Sequence, residues 1–217
     1  MHKQTITISD DKNVFYVGDI HGEITKLNEK LSDIKFNKET DILISVGDLI
    51  DRGENSLACL ELITEPWFHA VRGNHEELMI RSLIDKCENH LSCWLSNGAN
   101  WYFDLNQEDR MYANDLAKIA SELPYVIEVL HRGKKVVVCH ANYPNDEYTG
   151  EIDKCDLHDI IWDRSRIESF KKEETIKGAD HFVFGHTPLR RHTNLGNCHW
   201  IDTGAVFGKE LTVIKLD

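Results

Sequence analysis

The sequence predicts an α/β protein with two β-sheets, and three observations support this fold class. In the first half of the chain, short apolar runs rich in β-branched residues alternate with segments of helical periodicity. That order implies parallel strands joined by right-handed crossovers. Beyond residue 134, four further strand-like runs predict a second sheet made mostly of late strands. No repeat, low-complexity tract or linker-like segment interrupts the 217 residues, so we expect one domain over residues 1–217.

The first half of the chain contains three predicted strand–helix units. Its short apolar runs are the predicted strands: NVFYV (13–17), DILISV (41–46) and WFHAV (67–71). Between the first two, EITKLNEKLSDI (23–34) carries an apolar stripe at the spacing of one helix face. Helices are also predicted at SLACLELI (56–63) and HEELMIRSLIDKC (75–87). The resulting order is β-α-β-α-β-α.

The second half predicts one more helix and the strands of the second sheet. CWLSNGANWYFDL (93–105) is aromatic and holds an Asn-Gly turn signal, and a helix is expected over 112–122. The strand-like runs are KVVVC (135–139), HFVF (181–184), CHWI (198–201) and ELTVIKL (210–216). Two stretches, about 141–160 and 164–180, look like long connections, and loops of that length often carry function.

Composition excludes several classes of partner. Hydrophobic residues at 41% and charged residues at 29% are ordinary for a soluble protein, and no apolar run approaches a membrane-spanning length. A formal net charge of -12 argues against a general nucleic-acid-binding surface. The six cysteines form no C-x-x-C pair, and no secretory apolar core is visible, which favours free thiols in a reducing compartment. We expect a cytoplasmic protein without membrane or nucleic-acid partners, and a monomer, because no amphipathic extension is evident.

Polar side chains recur where the predicted strands end. GDIHG (18–22), GDLIDRG (47–53) and GNHE (73–76) each follow a strand, and two later strands end at His140 and His186. Ligands of open α/β sheets bind at the carboxyl ends of strands, so these side chains are expected to meet. One such motif alone is typical of a capped strand-to-helix turn, but five in one chain indicate a site. The candidate metal ligands are Asp19, His21, Asp48, Asn74, His140 and His186.

The donor set indicates a catalytic metal site. Aspartates brought close together resist joint ionisation, and a divalent cation removes that repulsion. The donors are imidazole, carboxylate and amide oxygen without thiolate, which favours manganese, iron or zinc in a catalytic site over structural zinc. Six donors exceed one tetrahedral site and suit two ions that share a bridging carboxylate, about 3.5–4 Å apart.

The same motifs resemble the signature of the PPP-type metallophosphatases, and in particular their bacteriophage lambda and enterobacterial serine/threonine-specific members. The longer matching segments are PWFHAVRGNHE (66–76), CHANYPNDEY (139–148), IIWDRSRI (160–167), KGADHFVFGHTP (177–188) and IDTGAVFG (201–208). The resemblance implies a calcineurin-like metallophosphoesterase fold, with two mixed β-sheets packed face to face and helices on the outside. It also implies two divalent metal ions. Manganese is the expected metal, and iron and zinc are the alternatives.

The resemblance further assigns roles to the site residues. One ion would be held by Asp19, His21 and Asp48, and the second by Asp48, Asn74, His140 and His186. A hydroxide bridging the ions would attack phosphoserine or phosphothreonine monoesters of phosphoproteins and phosphopeptides, with phosphotyrosine as a further substrate. By resemblance, His75 is the general acid and Asp51 holds its ring. The expected phosphate clamps are Arg52, Arg72 and Arg164, whose guanidinium forks match phosphate oxygens.

Several residues keep alternative interpretations. Cys139, beside His140, is interpreted as a buried strand cysteine rather than a nucleophile, because metal-activated water already fills that role. Trp94 and Trp101 either flank the substrate cleft or pack in the core. Both glutamates of VRGNHEEL (71–78) are interpreted as favourable charges at a helix N-terminus.

Two rival functions stay open at this point. One is a nucleotide-directed phosphoesterase, such as a dinucleoside tetraphosphatase, which shares much of the signature. The other is a metal-binding regulator without catalysis. Such a protein should lack the acid pair, His75 and Asp51, or the arginines Arg52, Arg72 and Arg164. Both the acid pair and the arginines are present in this sequence.

Overall fold

The computed structural model describes residues 2–169 and 175–216 of the chain, and the described strands form two sheets. In chain order, strands β1 to β10 span Lys3–Thr7, Val14–Val17, Ile42–Ser45, Phe68–Ala70, Val126–His131, Lys134–Cys139, His181–Phe184, Thr193–Leu195, Cys198–Trp200 and Val213–Lys215. Helices α1 to α8 span Ile24–Asp33, Ser56–Glu61, Asn74–Leu83, Glu88–Ser96, Asn100–Asp104, Gln107–Ala120, Leu157–Trp162 and Ser165–Glu168. Short 3₁₀ turns cover Leu62–Thr64, Ile152–Lys154 and Ala205–Phe207.

Both sheets are mixed. The smaller sheet has the order β10-β2-β3-β4, in which β2, β3 and β4 run parallel and β10 is antiparallel to β2. The larger sheet has the order β1-β5-β6-β7-β9-β8. In it β6, β7 and β9 run parallel, and β5 and β8 each pair antiparallel with a neighbour. The parallel pairing of β2, β3 and β4 is the one expected from the β-α-β order of the first half.

The two sheets pack face to face because their strands alternate residues between two apolar layers. Ile44 on β3 and Val138 on β6 point into one shared cluster between the sheets, which also holds Val183 from β7. Their neighbours turn the other way: Leu43 packs under the first six helices, and Phe182 packs in the outer cluster of the larger sheet. The architecture is therefore the α/β arrangement expected, two mixed sheets with helices on the outer faces.

Most of the expected elements are present, and the differences have local causes. The strand β1 was not predicted because KQTIT has few apolar residues and is only half-buried at the edge of the larger sheet. Strands β5 and β8 were also not predicted, and the aromatic segment 93–105 forms the last residues of α4, the Asn-Gly turn and α5. Helix α6 begins earlier than the expected 112–122 because Asn106 caps it, accepting the Asp109 N–H at 3.0 Å.

The long connections are less irregular than expected. The stretch 141–160 contains a 3₁₀ turn and most of α7, and α8 lies near the start of 164–180. Residues 170–174 of the second stretch lie outside the described residues. None of the helices in the described ranges is long and apolar enough to cross a membrane.

The topology brings the functional motifs to one edge. Strands β2, β3 and β4 run parallel, so their carboxyl ends deliver GDIHG, GDLIDRG and GNHE to the same side of the smaller sheet. The parallel strands β6 and β7 deliver His140 and His186 from the larger sheet. Gly18 marks the close approach of the two sheets, because a Cβ there would lie 2.3 Å from the Ile201 carbonyl oxygen.

The apolar layer between the sheets is expected to carry much of the stability. Ile44 is fully buried there, whereas Ile119 on α6 is 46% exposed. We expect Ile44→Ala to lower the free energy of unfolding by about 2–5 kcal/mol, and Ile119→Ala by less than about 0.5 kcal/mol. Urea denaturation followed by circular dichroism measures both. Equal effects of the two substitutions would contradict the assignment of the inter-sheet core.

Candidate metal and active site

The six expected metal ligands converge on one buried point. Asp19, His21, Asp48, Asn74, His140 and His186 are each at most 6% exposed. The Asp48 carboxylate lies at the centre, with its Oδ2 3.5 Å from His21 Nε2 and 3.3 Å from His140 Nε2. His21 and His75 form one group with Asp48, and His140 and His186 form another with Asp48, with all ligand atoms of each group within 4.8 Å. Among the described residues, the first group contains His75 where Asp19 was expected. Asp48 therefore belongs to two neighbouring donor groups.

Asn74 and Asp19 close the site on the side of the larger sheet. Asn74 Oδ1 lies 2.9 Å from His140 Nε2 and 2.9 Å from His186 Nδ1. The backbone N–H of His186 donates to both Asp19 carboxylate oxygens, at 3.1 and 3.0 Å. Donors from the two sheets are thus tied to one another across the site.

The hydrogen bonds of two histidines fix which nitrogen faces the site. Nδ1 of His21 lies 2.7 Å from the Ile50 carbonyl oxygen, and Nδ1 of His140 lies 2.7 Å from that of Val46. A carbonyl only accepts, so each Nδ1 must carry the hydrogen. Each Nε2 then points toward an oxygen of Asp48 or Asn74. Unless a proton or a metal ion is bound to it, this nitrogen presents a lone pair to that oxygen. Metal-bound histidines usually donate their other ring N–H in this way.

The electrostatics of the site also fit a cation. Burial, followed by repulsion from Asp202 and Asp48, raises the pKa of Asp19 well above its ordinary value. Burial likewise raises the pKa of Glu76 to about 7 and that of Asp202 to about 6. Burial lowers the pKa of His21 and His186 to about 3, so both rings are neutral and able to bind a metal near pH 7. Crowded carboxyl groups and neutral imidazoles are the donors that a divalent cation stabilises.

Tight loops orient these side chains, and three of the expected ligands have a positive φ. His21, Asp48 and His186 have φ of 46°, 51° and 66°, in the left-handed region that non-glycine residues seldom occupy. Gly73 allows the close contact between two of the loops, because a Cβ there would lie 2.2 Å from Asp48 Oδ1. Conformations of this kind cost roughly 1–3 kcal/mol each and persist where surrounding contacts hold them.

Glu76 supplies such contacts, in addition to its charge at the start of α3. Its buried carboxylate accepts the N–H groups of Asp48 and Leu49 at 2.9 Å each, and that of Gly73 at 3.0 Å. It therefore clamps the loop that carries the central aspartate. The expectation that Glu76 is only a favourable charge at a helix N-terminus is corrected here: a helix N-terminal position gives no sign of a contact to a loop 28 residues earlier.

His75 and Asp51, the expected acid and its partner, are in contact. His75 Nδ1 lies 2.6 Å from Asp51 Oδ2, and both residues are fully buried. His75 Nε2 has no hydrogen-bond partner among the described residues, lies 3.9 Å from Asp48 Oδ2, and belongs to a ring that lines the cavity. The Asp51 carboxylate also accepts hydrogen bonds from the indoles of Trp94 and Trp101.

A cavity of about 140 Å³ is lined by four of the expected metal ligands, His21, Asp48, Asn74 and His186. Two of the three expected phosphate clamps, Arg52 and Arg164, line it, with Trp162 and Phe207 as its aromatic walls. Arg52 Nη1 lies 2.6 Å from His21 Nε2, so a guanidinium charge faces that lone pair. Phe207 and Asp202 in the wall were not singled out from the sequence, because only the fold brings the IDTGAVF loop to the cavity.

Arg72 is placed differently from the expectation. Its Nη1 donates to Glu77 Oε2 at 2.8 Å and to the Tyr125 hydroxyl at 3.2 Å, and its Nη2 donates to the Ser121 carbonyl. The guanidinium also lies 4.7 Å from the centre of the Tyr125 ring and does not line the cavity. In this structure Arg72 therefore joins α3 to the end of α6. The assignment of Arg72 as a phosphate clamp is corrected on this geometry.

Cys139 is fully buried, and burial raises the pKa of its thiol well above the ordinary value. It is a core residue of the larger sheet, consistent with the interpretation that it is not a nucleophile. All six cysteines of the chain are free in the structure.

Comparison with curated proteins gives full-length relatives. Serine/threonine-protein phosphatase 1 of Salmonella typhimurium is 43% identical over 213 residues, which cover 98% of this chain and 96% of that protein. The bis(5'-nucleosyl)-tetraphosphatase PrpE of Bacillus cereus is 28% identical over 221 aligned positions, covering 92% of this chain and 88% of that protein. Relatives of this chain thus include both a protein phosphatase and a nucleotide-directed phosphoesterase, at different degrees of similarity.

Solved structures and family models agree on the fold. A cold-active protein-tyrosine phosphatase of Shewanella superposes with a TM-score of 0.61 at 17% identity, over 96% of this chain and 77% of that one, which shows a shared fold. The family model for calcineurin-like phosphoesterases matches residues 12–210, a range that includes every expected ligand. The chain therefore belongs to the calcineurin-like phosphoesterase family.

Proposed function

We propose that the protein is a metal-dependent phosphoprotein phosphatase that hydrolyses phosphoserine and phosphothreonine monoesters, and also phosphotyrosine. The observation that carries this proposal is the pair of donor groups that share Asp48 beneath a cavity lined by two arginines and His75. We propose phosphoproteins and phosphopeptides as its substrates and a monomer in the cytoplasm as its working form. The free state of all six cysteines supports a reducing compartment.

The residues present fit two divalent cations, and we propose manganese, with iron or zinc as alternatives. Asp19, His21 and Asp48 would hold one ion, and Asp48 with Asn74, His140 and His186 the other. Bound cations in such a site supply a nucleophilic water of lowered pKa and offset the charge on the phosphoryl oxygens. The protein's own part is to fix the donors and to keep each imidazole in the tautomer that leaves Nε2 free on His21 and His140.

His75 is positioned to protonate the leaving group. A serine or threonine alkoxide is a poor leaving group and needs a proton as the P–O bond breaks. The Nδ1 of His75 is committed to Asp51, so the transferable proton must sit on Nε2. That atom is buried, lacks a partner among the described residues, and belongs to a ring at the cavity wall. Asp51 fixes the ring orientation and the tautomer.

Arg52 and Arg164 provide the positive charge that a phosphate needs in a chain of net charge -12. Both line the cavity and are exposed to it, so their guanidinium forks are accessible to phosphoryl oxygens. Arg52 faces His21 Nε2 in this structure, and we expect it to turn toward the phosphate when a cation takes that nitrogen.

The rival functions are weaker on the same observations. The tetraphosphatase relative is 28% identical, whereas the serine/threonine-protein phosphatase is 43% identical. A regulator without catalysis would not need the His75–Asp51 pair or the cavity arginines, and the structure contains all of them.

The first prediction concerns the acid. We expect His75→Asn to lower kcat for a phosphoserine peptide by about 10²–10⁴-fold, because the alkoxide then leaves without its proton donor. Steady-state assays with Mn²⁺ measure this, and equilibrium dialysis should show that metal is still retained. His131→Asn is the matched control: its ring nitrogen Nε2 lies 3.2 Å from the Lys12 carbonyl oxygen, the residue does not line the cavity, and the substitution should leave kcat unchanged. Full activity in His75→Asn would remove the acid assignment.

The second prediction separates the two enzyme classes. With Mn²⁺ present, we expect kcat/KM for phosphoserine and phosphothreonine peptides to exceed that for diadenosine tetraphosphate. Asp48→Asn, which removes the shared carboxylate, should abolish turnover of every substrate and so tie the activity to this site. A preference for the dinucleotide over all phosphopeptides would contradict the proposed substrate class and favour the nucleotide-directed alternative.

A further inference from the structure

We propose that Trp94 and Trp101 are positioning residues for the acid pair, holding the Asp51 carboxylate in the orientation that aims His75 into the cavity. The inference rests on the proposed function, because it gives these tryptophans a role in protonating the leaving group. It concerns two side chains for which the sequence allowed either a cleft or a core role.

The Asp51 carboxylate is surrounded by donors. Trp94 Nε1 lies 2.9 Å from Oδ2 and 3.0 Å from Oδ1, and Trp101 Nε1 lies 2.7 Å from Oδ1. His75 Nδ1 completes the set at 2.6 Å from Oδ2. Asp51 is 0% exposed, so water cannot replace a lost donor without a rearrangement. Both oxygens are therefore fixed, and the plane of the carboxylate is set by the two indoles.

The tryptophans come from a helical hairpin that packs over the DRG loop. Trp94 lies in α4 and Trp101 in α5, and their rings meet edge to face at 6.4 Å. The turn between the helices reaches the same loop, since the Arg52 N–H donates to the Gly98 carbonyl at 3.4 Å. A Cβ at Gly98 would lie 2.8 Å from the Arg52 nitrogen. The hairpin thus contacts the acid-pair aspartate and the arginine next to it.

The loop needs this external support. Asp51 and Arg52 have φ of 75° and 71°, two consecutive non-glycine residues in the left-handed region. Such a conformation persists only where neighbouring contacts favour it. The indole hydrogen bonds to Asp51 and the Gly98 contact to Arg52 come from outside the loop. Removing an indole N–H should therefore loosen the carboxylate on which the His75 ring depends.

Ordinary core packing does not explain the arrangement. Buried indoles usually find an acceptor, but Trp200 is 1% exposed and its Nε1 has no partner among the described residues. The fold thus accommodates a buried indole without a hydrogen bond. Two indole N–H groups that converge on one buried carboxylate, itself paired with the proton donor, instead indicate a role at Asp51.

The inference has a chemical signature. General-acid assistance matters most when the leaving group is basic, such as a serine alkoxide, and least when it is an acidic phenol such as p-nitrophenol. Misorientation of His75 should therefore slow phosphoserine hydrolysis more than p-nitrophenyl phosphate hydrolysis. A general loss of structure or metal would slow both alike.

The experiment compares Trp94→Phe and Trp101→Phe with the wild-type holoenzyme on these two substrates. We expect kcat for a phosphoserine peptide to fall roughly 10- to 100-fold, with a much smaller loss on p-nitrophenyl phosphate and unchanged KM and metal content. Trp67→Phe is the matched control. Trp67 is buried, its indole N–H donates to the Glu65 carboxylate at 2.9 Å, and it does not line the cavity. It should leave both rates unchanged.

A double-mutant cycle gives the decisive comparison. If the indoles act through the acid, Trp101→Phe added to His75→Asn should cause little further loss, so the two effects are not additive. Additive effects, equal losses on both substrates, or no loss would each overturn the inference. If a Phe variant unfolds or loses metal, benzothienylalanine at the same position keeps the ring shape without the N–H and gives the same test. Failure of the proposed function would appear separately, as a wild-type protein that does not hydrolyse phosphopeptides.

Discussion

The burial of the Asp48 carboxylate is the constraint on which the rest of the structure depends. A carboxylate that is 2% exposed must be compensated, and burial followed by repulsion that includes the Asp48 charge raises the pKa of its neighbours Asp19 and Asp202. The backbone N–H of His75 donates to Oδ1, and the imidazoles around Oδ2 are the donors with which Asp48 would hold cations that offset its charge. Stability and chemistry are thereby coupled, because the groups that tolerate the buried charge are those that would bind metal and phosphate.

That constraint explains features that look unrelated in the sequence. Glu76 holds the Asp48 loop through three backbone N–H groups, and Gly73 lets the GNHE helix begin against that loop. The left-handed backbone at His21 and His186 aims imidazoles from two different sheets at one point. The acid pair surrounds this site: His75 donates its backbone N–H to Asp48 and lines the cavity with its ring. Its partner Asp51 accepts hydrogen bonds from the helical hairpin. The hairpin thus orients Asp51, Asp51 orients the His75 ring, and the surrounding loops orient Asp48.

The sequence predicts the inner parts of this arrangement far better than the outer ones. The ligands could be named because each follows a strand, and parallel strands end at one edge whatever the details of packing. The acid pair and the remaining roles came from family resemblance and not from spacing. Glu76, Arg72 and the two tryptophans could not be placed, because each has a partner that lies far from it in the chain: 28 residues from Glu76 to Asp48, 43 from Trp94 to Asp51 and 53 from Arg72 to Tyr125. The half-buried edge strand β1 escaped prediction because its pattern is mostly polar.

The central claim is that side chains from both sheets bind two cations and that Asp48 is a ligand of both. The most direct measurement is a crystal structure of the Mn²⁺-replete protein, with the ions located by anomalous scattering and counted by elemental analysis. The account predicts two ions per chain about 3.5–4 Å apart, with Asp48 touching both and Asn74 and His140 touching one of them. A single ion, ions bound elsewhere on the chain, or no divalent metal retained at any concentration would contradict it.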